Sequence, residues 1–132
     1  MTYEQLSDAV MAQLKSKASD IGVDTNSIIE GGREVIAPSI NVFISPDIDL
    51  QEIKSPANPP DFLGCKIELV CLSPSFTGED KARRNAFRLC VNASASLFEL
   101  PYINDLISIE FAQTNADASV CVSTLSTMIE LL

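Results

Sequence analysis

Histidine is missing altogether from this chain of 132 residues, and that gap removes much familiar enzyme chemistry. Without an imidazole there is no general base of the usual kind, no Ser-His-Asp triad and no Cys-His pair. No glycine-rich loop precedes a helix in the form that cradles phosphate, so nucleotide binding has no support. None of Cys65, Cys71, Cys90 and Cys121 stands in a Cys-x-x-Cys pair, so a structural zinc would need all four thiolates at unusual spacings. Long apolar runs are missing too. The longest are strand-sized, far short of the ~20 residues that span a bilayer. The opening Met1-Thr2-Tyr3-Glu4 is polar and acidic, where a secretory signal is basic and then apolar. We therefore expect a protein made in the cytosol that works by binding other proteins, with no catalytic residue, cofactor or metal.

What is present is ordinary globular material. The chain is 46% apolar and 20% charged, which suits one packed domain over residues 1–132 rather than disorder. A chain of this size hides roughly two-thirds of its unfolded surface and needs no staple. Its net charge of −9 repels nucleic acid overall, so any DNA contact would need a local basic patch. Cys65 and Cys71, if on one strand, lie about 20 Å apart and cannot bond to each other. We expect the four cysteines to be buried and reduced, with inter-subunit disulfides as the alternative.

Along the chain, Thr2 and Gln5 make a capping box for a helix running to about residue 18, with Leu6, Val10 and Leu14 on one face. Gly22 closes that region, and Gly31-Gly32 marks a turn between two short extended stretches. Residues 39–45 alternate: Ile40, Val42 and Ile44 face one side, Asn41, Phe43 and Ser45 the other. Residues from about 46 to 61 hold Pro46, Pro56, Pro59 and Pro60 with Asp47, Asp49 and Glu52, and read as a long loop or arm. A strand follows to about residue 73, lined by Cys65, Ile67, Leu69 and Cys71. Thr77 and Asp80 then cap a helix over about 79–100, with Ala86, Cys90, Ala93, Leu97 and Leu100 on one face. A hairpin ends the pattern: Ile107, Ile109 and Phe111 share a face, Asn115-Ala116-Asp117 turns, and Val120, Val122 and Thr124 align on the return. The expected fold is α+β, a mostly antiparallel sheet of about four strands with two helices packed on one face.

One feature departs from the acidic background. Lys81, Arg83, Arg84 and Arg88 fall within eight residues, and Lys81, Arg84 and Arg88 step by three and four along one helical face. Such a stripe is either a solvated face or a docking surface for an acidic neighbour, such as another subunit's arm carrying Asp47, Asp49 and Glu52. Four charges without interleaved aromatic residues make a weak nucleic-acid footprint.

The helix opening at Tyr3-Glu4-Gln5-Leu6 and leading to Leu14-Lys15 resembles small phage and prophage tail-completion proteins. The arm-interrupted strand pair, the Glu79-Asp80-Lys81-Ala82-Arg83-Arg84 helix start and the closing hairpin carry the same likeness. The group is that of tail terminators and their relatives in Mu-like contractile tails. The resemblance covers most of the chain through layout, and the four cysteines depart from it. It implies a homo-hexameric ring that caps the tail tube or sheath at the head-proximal end of the virion and joins it to the neck. Its partners would be identical subunits and tube, sheath and neck proteins, with no membrane and at most incidental DNA contact in a channel. Two other readings stay open: another head–tail joining protein, or a non-viral acidic cytosolic adaptor.

Overall fold

The computed structural model describes residues 2–32, 38–46, 62–75, 78–103, 105–112 and 118–130. Helix α1 spans Tyr3–Ser16 and begins with the expected capping box. The Gln5 amide donates to Thr2 Oγ1 at 3.2 Å and the Thr2 amide to Gln5 Oε1 at 2.9 Å, satisfying two end donors reciprocally. The chain breaks at Lys17 and adds a four-residue helix, α2 (Ala18–Ile21). Gly22 ends it at φ 96°, where the left-handed backbone suits a residue without a Cβ. A 3-10 turn at Thr25–Ser27, capped by Asp24, leads into strand β1, Ile28–Glu30.

Five longer elements follow: β2 (Ser39–Pro46), β3 (Phe62–Pro74), helix α3 (Glu79–Leu97), then β4 (Asp105–Phe111) and β5 (Ala118–Glu130). The strands form one sheet in the order β1-β2-β3-β5-β4. The α+β class stands, with helices packed on the sheet. The finer expectation is corrected, because among the described residues the sheet has five strands rather than about four and three helices are present rather than two. It is also mixed: β1 runs parallel to β2, matching Ile28 with Ile40, and the remaining pairs are antiparallel. The short extended stretch expected before Gly31 is β1, although three residues are too few to show a period of two and so to be counted firmly as a strand.

Every helix packs on the same face. That face carries Ile40, Val42 and Ile44 of β2, Cys65, Ile67, Leu69 and Cys71 of β3, and Cys121 and Leu125 of β5, all buried. Leu6, Val10 and Leu14 of α1 and Ala86, Leu89, Cys90, Ala93 and Leu97 of α3 complete one continuous core. On β5 the β-branched set Val120, Val122 and Thr124 turns away from the helices. Ser119, Cys121 and Ser123 face inward instead, fully buried. Small residues on both sides let α3 lie close to the strands. The Ser94 and Ser123 hydroxyls meet at 2.6 Å, and the Cys90 thiol donates to the Cys121 carbonyl at 3.2 Å.

Two further expectations change. The α3 N-cap is Gly78, which offers no side-chain hydrogen bond; Thr77 lies outside the described residues. The helix ends at Leu97 rather than near residue 100, and Leu100 packs on the core from the following turn. On β4 an irregularity between Leu106 and Ser108 shifts the pleat. Ile109 and Phe111 keep the helix-side face, while Ile107 is thrown out to 54% exposure. The stretch after Gly32, the arm beyond Pro46 and the 115–117 turn fall largely or wholly outside the described residues.

All four cysteines are buried, and Cys71, Cys90 and Cys121 form no disulfide among the described residues. The adjacent Cys71 thiol and burial hold Cys90 far above the ordinary thiol range, and burial pushes Cys121 up to about 12. No inter-subunit disulfide can reach these sulfurs without opening the core.

Two expected outcomes follow from this packing. Leu14→Ala and Leu97→Ala should each lower unfolding free energy by about 2–5 kcal/mol in urea titrations, and losses below about 0.5 kcal/mol at both would contradict the helix faces. Stability should also fall in alkali. An unfolded thiol ionises near 9.0 while folded Cys121 holds its proton to about 12, so above that lower pH the native state binds more protons than the unfolded one. The stabilisation is complete below about pH 9 and drains away toward about 12, and urea midpoints measured across that range should decline less steeply in Cys121→Ala.

Candidate functional site

Helix α3 sorts its residues by angle. Ala82, Ala86, Leu89, Cys90, Ala93 and Leu97 turn to the sheet, so residues three and four apart on the opposite side must meet solvent. Lys81, Arg84 and Arg88 occupy that outer side, and all three are exposed. The structure thus brings the three basic members of the expected site together on one surface near the helix start, bordered by Glu79, Asp80 and Asn85. Among the described residues none of the three, nor Arg83, takes part in an ion pair. By contrast, Lys17 and Glu99 do pair, at 3.5 Å. The acidic members, Asp47, Asp49 and Glu52, lie outside the described residues, so their distance to the stripe is not part of the fold described above.

Beside the stripe sits a cluster that sequence reading missed. Phe87 is one turn beyond Arg83, and the sheet carries Phe111 of β4 to meet both. The Arg83 guanidinium lies over the Phe111 ring, 4.3 Å from its centroid, and the Phe87 ring stacks beside Phe111 at 6.0 Å with 28° between planes. An aromatic residue does interleave with the basic ones, contrary to the expectation of an unaccompanied charge cluster. The i, i+4 spacing of Arg83 and Phe87 was the available signal. Phe111 could not have been found, because only the sheet brings a residue so distant in sequence to this helix.

The rings and charges line a shallow groove of about 450 Å³ formed by Asp80, Arg83, Arg84, Phe87 and Phe111. Phe87 remains 46% exposed and Phe111 40%, so the stack presents apolar area rather than hiding it. Chemically the groove can offer fixed donors and a flat apolar surface. Arginine and aromatic side chains of this kind are enriched where proteins bind proteins. Among the described residues no group of histidine, cysteine, aspartate or glutamate is arranged to hold a metal ion. No helix among them is long and apolar enough to cross a membrane.

These side chains should matter little to the fold itself. Arg84→Ala and Arg88→Ala should each leave unfolding free energy within about 0.5 kcal/mol of the parent. Arg83→Ala should cost up to about 1 kcal/mol through the lost contact with Phe111. Denaturant titration of the three variants checks this, and a large loss at Arg84 or Arg88 would mark the stripe as structural. No protein-family model matches this chain, and no curated protein matches it.

Proposed function

We propose that the protein is a structural virion subunit that assembles into a ring, a tail terminator or completion protein that caps a phage tail tube or sheath and joins it to the neck. The observation that carries the reading is the exposed basic stripe of α3, in no ion pair among the described residues, on a chain whose net charge is −9. Positive charge gathered on one surface of an acidic molecule serves little purpose for folding, since exposed pairs contribute only about 0–1 kcal/mol. It does supply direction. A ring subunit makes a heterologous contact in which one patch meets a different patch on its neighbour, and an acidic chain with one basic face has the two unlike surfaces that this requires.

Several features support the same reading. The chain has no histidine for acid–base work, and its thiols are sealed in the core, which leaves surface recognition as its chemistry. The capped α1, the long α3 and the antiparallel β4–β5 pair support this reading, since the resemblance to tail-completion proteins rests on such a layout. In this reading the ring is a hexamer, and the arm with Asp47, Asp49 and Glu52 contributes acidity to the contact. A neck protein at another head–tail joint would use the same chemistry.

The test is assembly. Reversing Arg84 and Arg88 to glutamate should shift the sedimentation profile from closed rings toward monomers while far-UV circular dichroism stays unchanged. Opposite charge across an interface guides encounter and register, and salt screens it over about 10 Å at 0.1 M. The parent should accordingly assemble more slowly as salt rises. A double mutant that assembles like the parent at both low and moderate salt would leave the stripe as a solvated helix face.

A further inference from the structure

The root of the arm and the aromatic groove lie far apart on the molecule. β2 ends at Pro46, opposite Cys65 of β3, and the described chain resumes at Phe62. Phe111 is opposite Cys121, and Cys121 is opposite Cys71, six residues along β3 from Cys65. Six residues cover about 20 Å along a strand, and the three strand spacings from β2 to β4 add about 14 Å across. Pro46 and Phe111 therefore stand about 25 Å apart. Three residues of extended chain reach at most about 10 Å, so Asp47, Ile48 and Asp49 cannot meet the Arg83–Phe87–Phe111 cluster of their own molecule. Between copies that limit does not apply.

The two are matched in chemistry. Along residues 79–88 the cations Lys81, Arg83, Arg84 and Arg88 outnumber the acids Glu79 and Asp80, so the start of α3 stays positive. The acids of β4 point elsewhere. Asp105 and Glu110 are opposite Ser126 and Val122, which turn away from the helices, whereas Phe111 is opposite the inward-facing Cys121. Apolar area accompanies the charge: Phe87 and Phe111 stack while staying exposed, and Val91, one turn after Phe87, is 38% exposed. The arm opens Asp47-Ile48-Asp49-Leu50-Gln51-Glu52-Ile53, where acids are interleaved with large apolar side chains. Its acids alone would ask only for cations. Ile48, Leu50 and Ile53 ask for an apolar surface as well, and rings set between arginines offer both.

We infer that the arm of one copy, from Asp47 to Ile53, docks in the groove between α3 and β4 of a second copy. Ile48 and Leu50 cover Phe87, Val91 and Phe111, and the acids face Arg83, Arg84 and Arg88. The inference rests on the self-assembly proposed above and deepens it, by adding an apolar centre to the charge contact and assigning its two halves to different molecules. The rings and aliphatic side chains carry the affinity, and the charges set register. Groove and arm are separate places on every copy, so the contact is head-to-tail and closes into a ring when the rotation permits.

Sedimentation of two complementary variants tests it. Ile48→Ser with Leu50→Ser removes the anchors of the arm, and Phe87→Glu spoils the groove. Should either lose its far-UV circular dichroism signal, Asp47→Lys with Asp49→Lys replaces the first and Arg83→Glu the second. Each variant alone should assemble at least about tenfold more weakly than the parent. Mixed one to one, the two should form a discrete heterodimer that grows no further, because the pair retains one intact groove and one intact arm. A parent-like profile from either variant overturns the proposal, and if Arg84→Glu with Arg88→Glu still breaks the parent's oligomers, self-assembly stands without it. Two weakened variants that fail to complement each other would show that arm and groove are not partners, which overturns it equally. A parent that stays monomeric at every concentration would remove both this inference and the ring.

Discussion

Everything distinctive about this molecule depends on how closely α3 can approach the sheet. Ala82, Ala86, Cys90 and Ala93 face Leu69 and Cys71 of β3 and Cys121 and Ser123 of β5, and most of these side chains are small. Close packing lets polar atoms finish the contact: Ser94 with Ser123, and the Cys90 thiol with the Cys121 carbonyl. A larger residue at Ala86 or Ala93 would have to lift the helix off its strands, since a packed interior accommodates added volume only through strain. The thiols are best understood within this contact. They fill space at the seam as compact apolar groups, and the raised pKa values follow from the Cys71 thiol beside Cys90 and from the burial of Cys90 and Cys121.

The seam also positions the surface. Once Cys90 is anchored over Cys121, Phe87 lies near a turn earlier on the flank of α3, and the register that sets Phe111 opposite Cys121 brings the two rings together. Arg83 follows one turn earlier and caps the stack. The basic and aromatic surface is therefore held by the core, with no loop in between. Such a surface is suited to a contact of fixed geometry, because its side chains are positioned by packed elements.

Local signals survive in the sequence wherever one element carries them whole. The Thr2–Gln5 capping box, the four-residue steps of α1 and the alternation of β2 and β3 could all be read directly, because each is a short-range pattern with its own physical cause. The basic stripe was legible for the same reason. What escaped needed two elements at once. β1 is too short to show alternation and exists because β2 offers it an edge. The exposure of Ile107 comes from the irregularity in the pairing of β4 with β5, and the Arg83–Phe87–Phe111 cluster needs the sheet to close. The inward face of β5 is the sharpest case. Its hydrophobicity favours Val120 and Val122, yet the helix takes Ser119, Cys121 and Ser123, because nearness outweighed apolarity at that seam.

The strand order has a bearing on how the chain comes together in time. β5 is the last described strand in sequence, and it lies between β3 and β4 with long antiparallel ladders on both sides. During synthesis β3, α3 and β4 emerge before the strand that joins them, so α3 meets only half its seam and β4 has no partner. Pairing β3 with β5 also closes a large loop, the kind of non-local contact that slows folding. Synthesis and folding are consequently uncoupled for the part of the molecule that carries the aromatic cluster, and a nascent chain cannot display that surface in its final form. The chain can offer that surface to a partner only once its own sheet is complete.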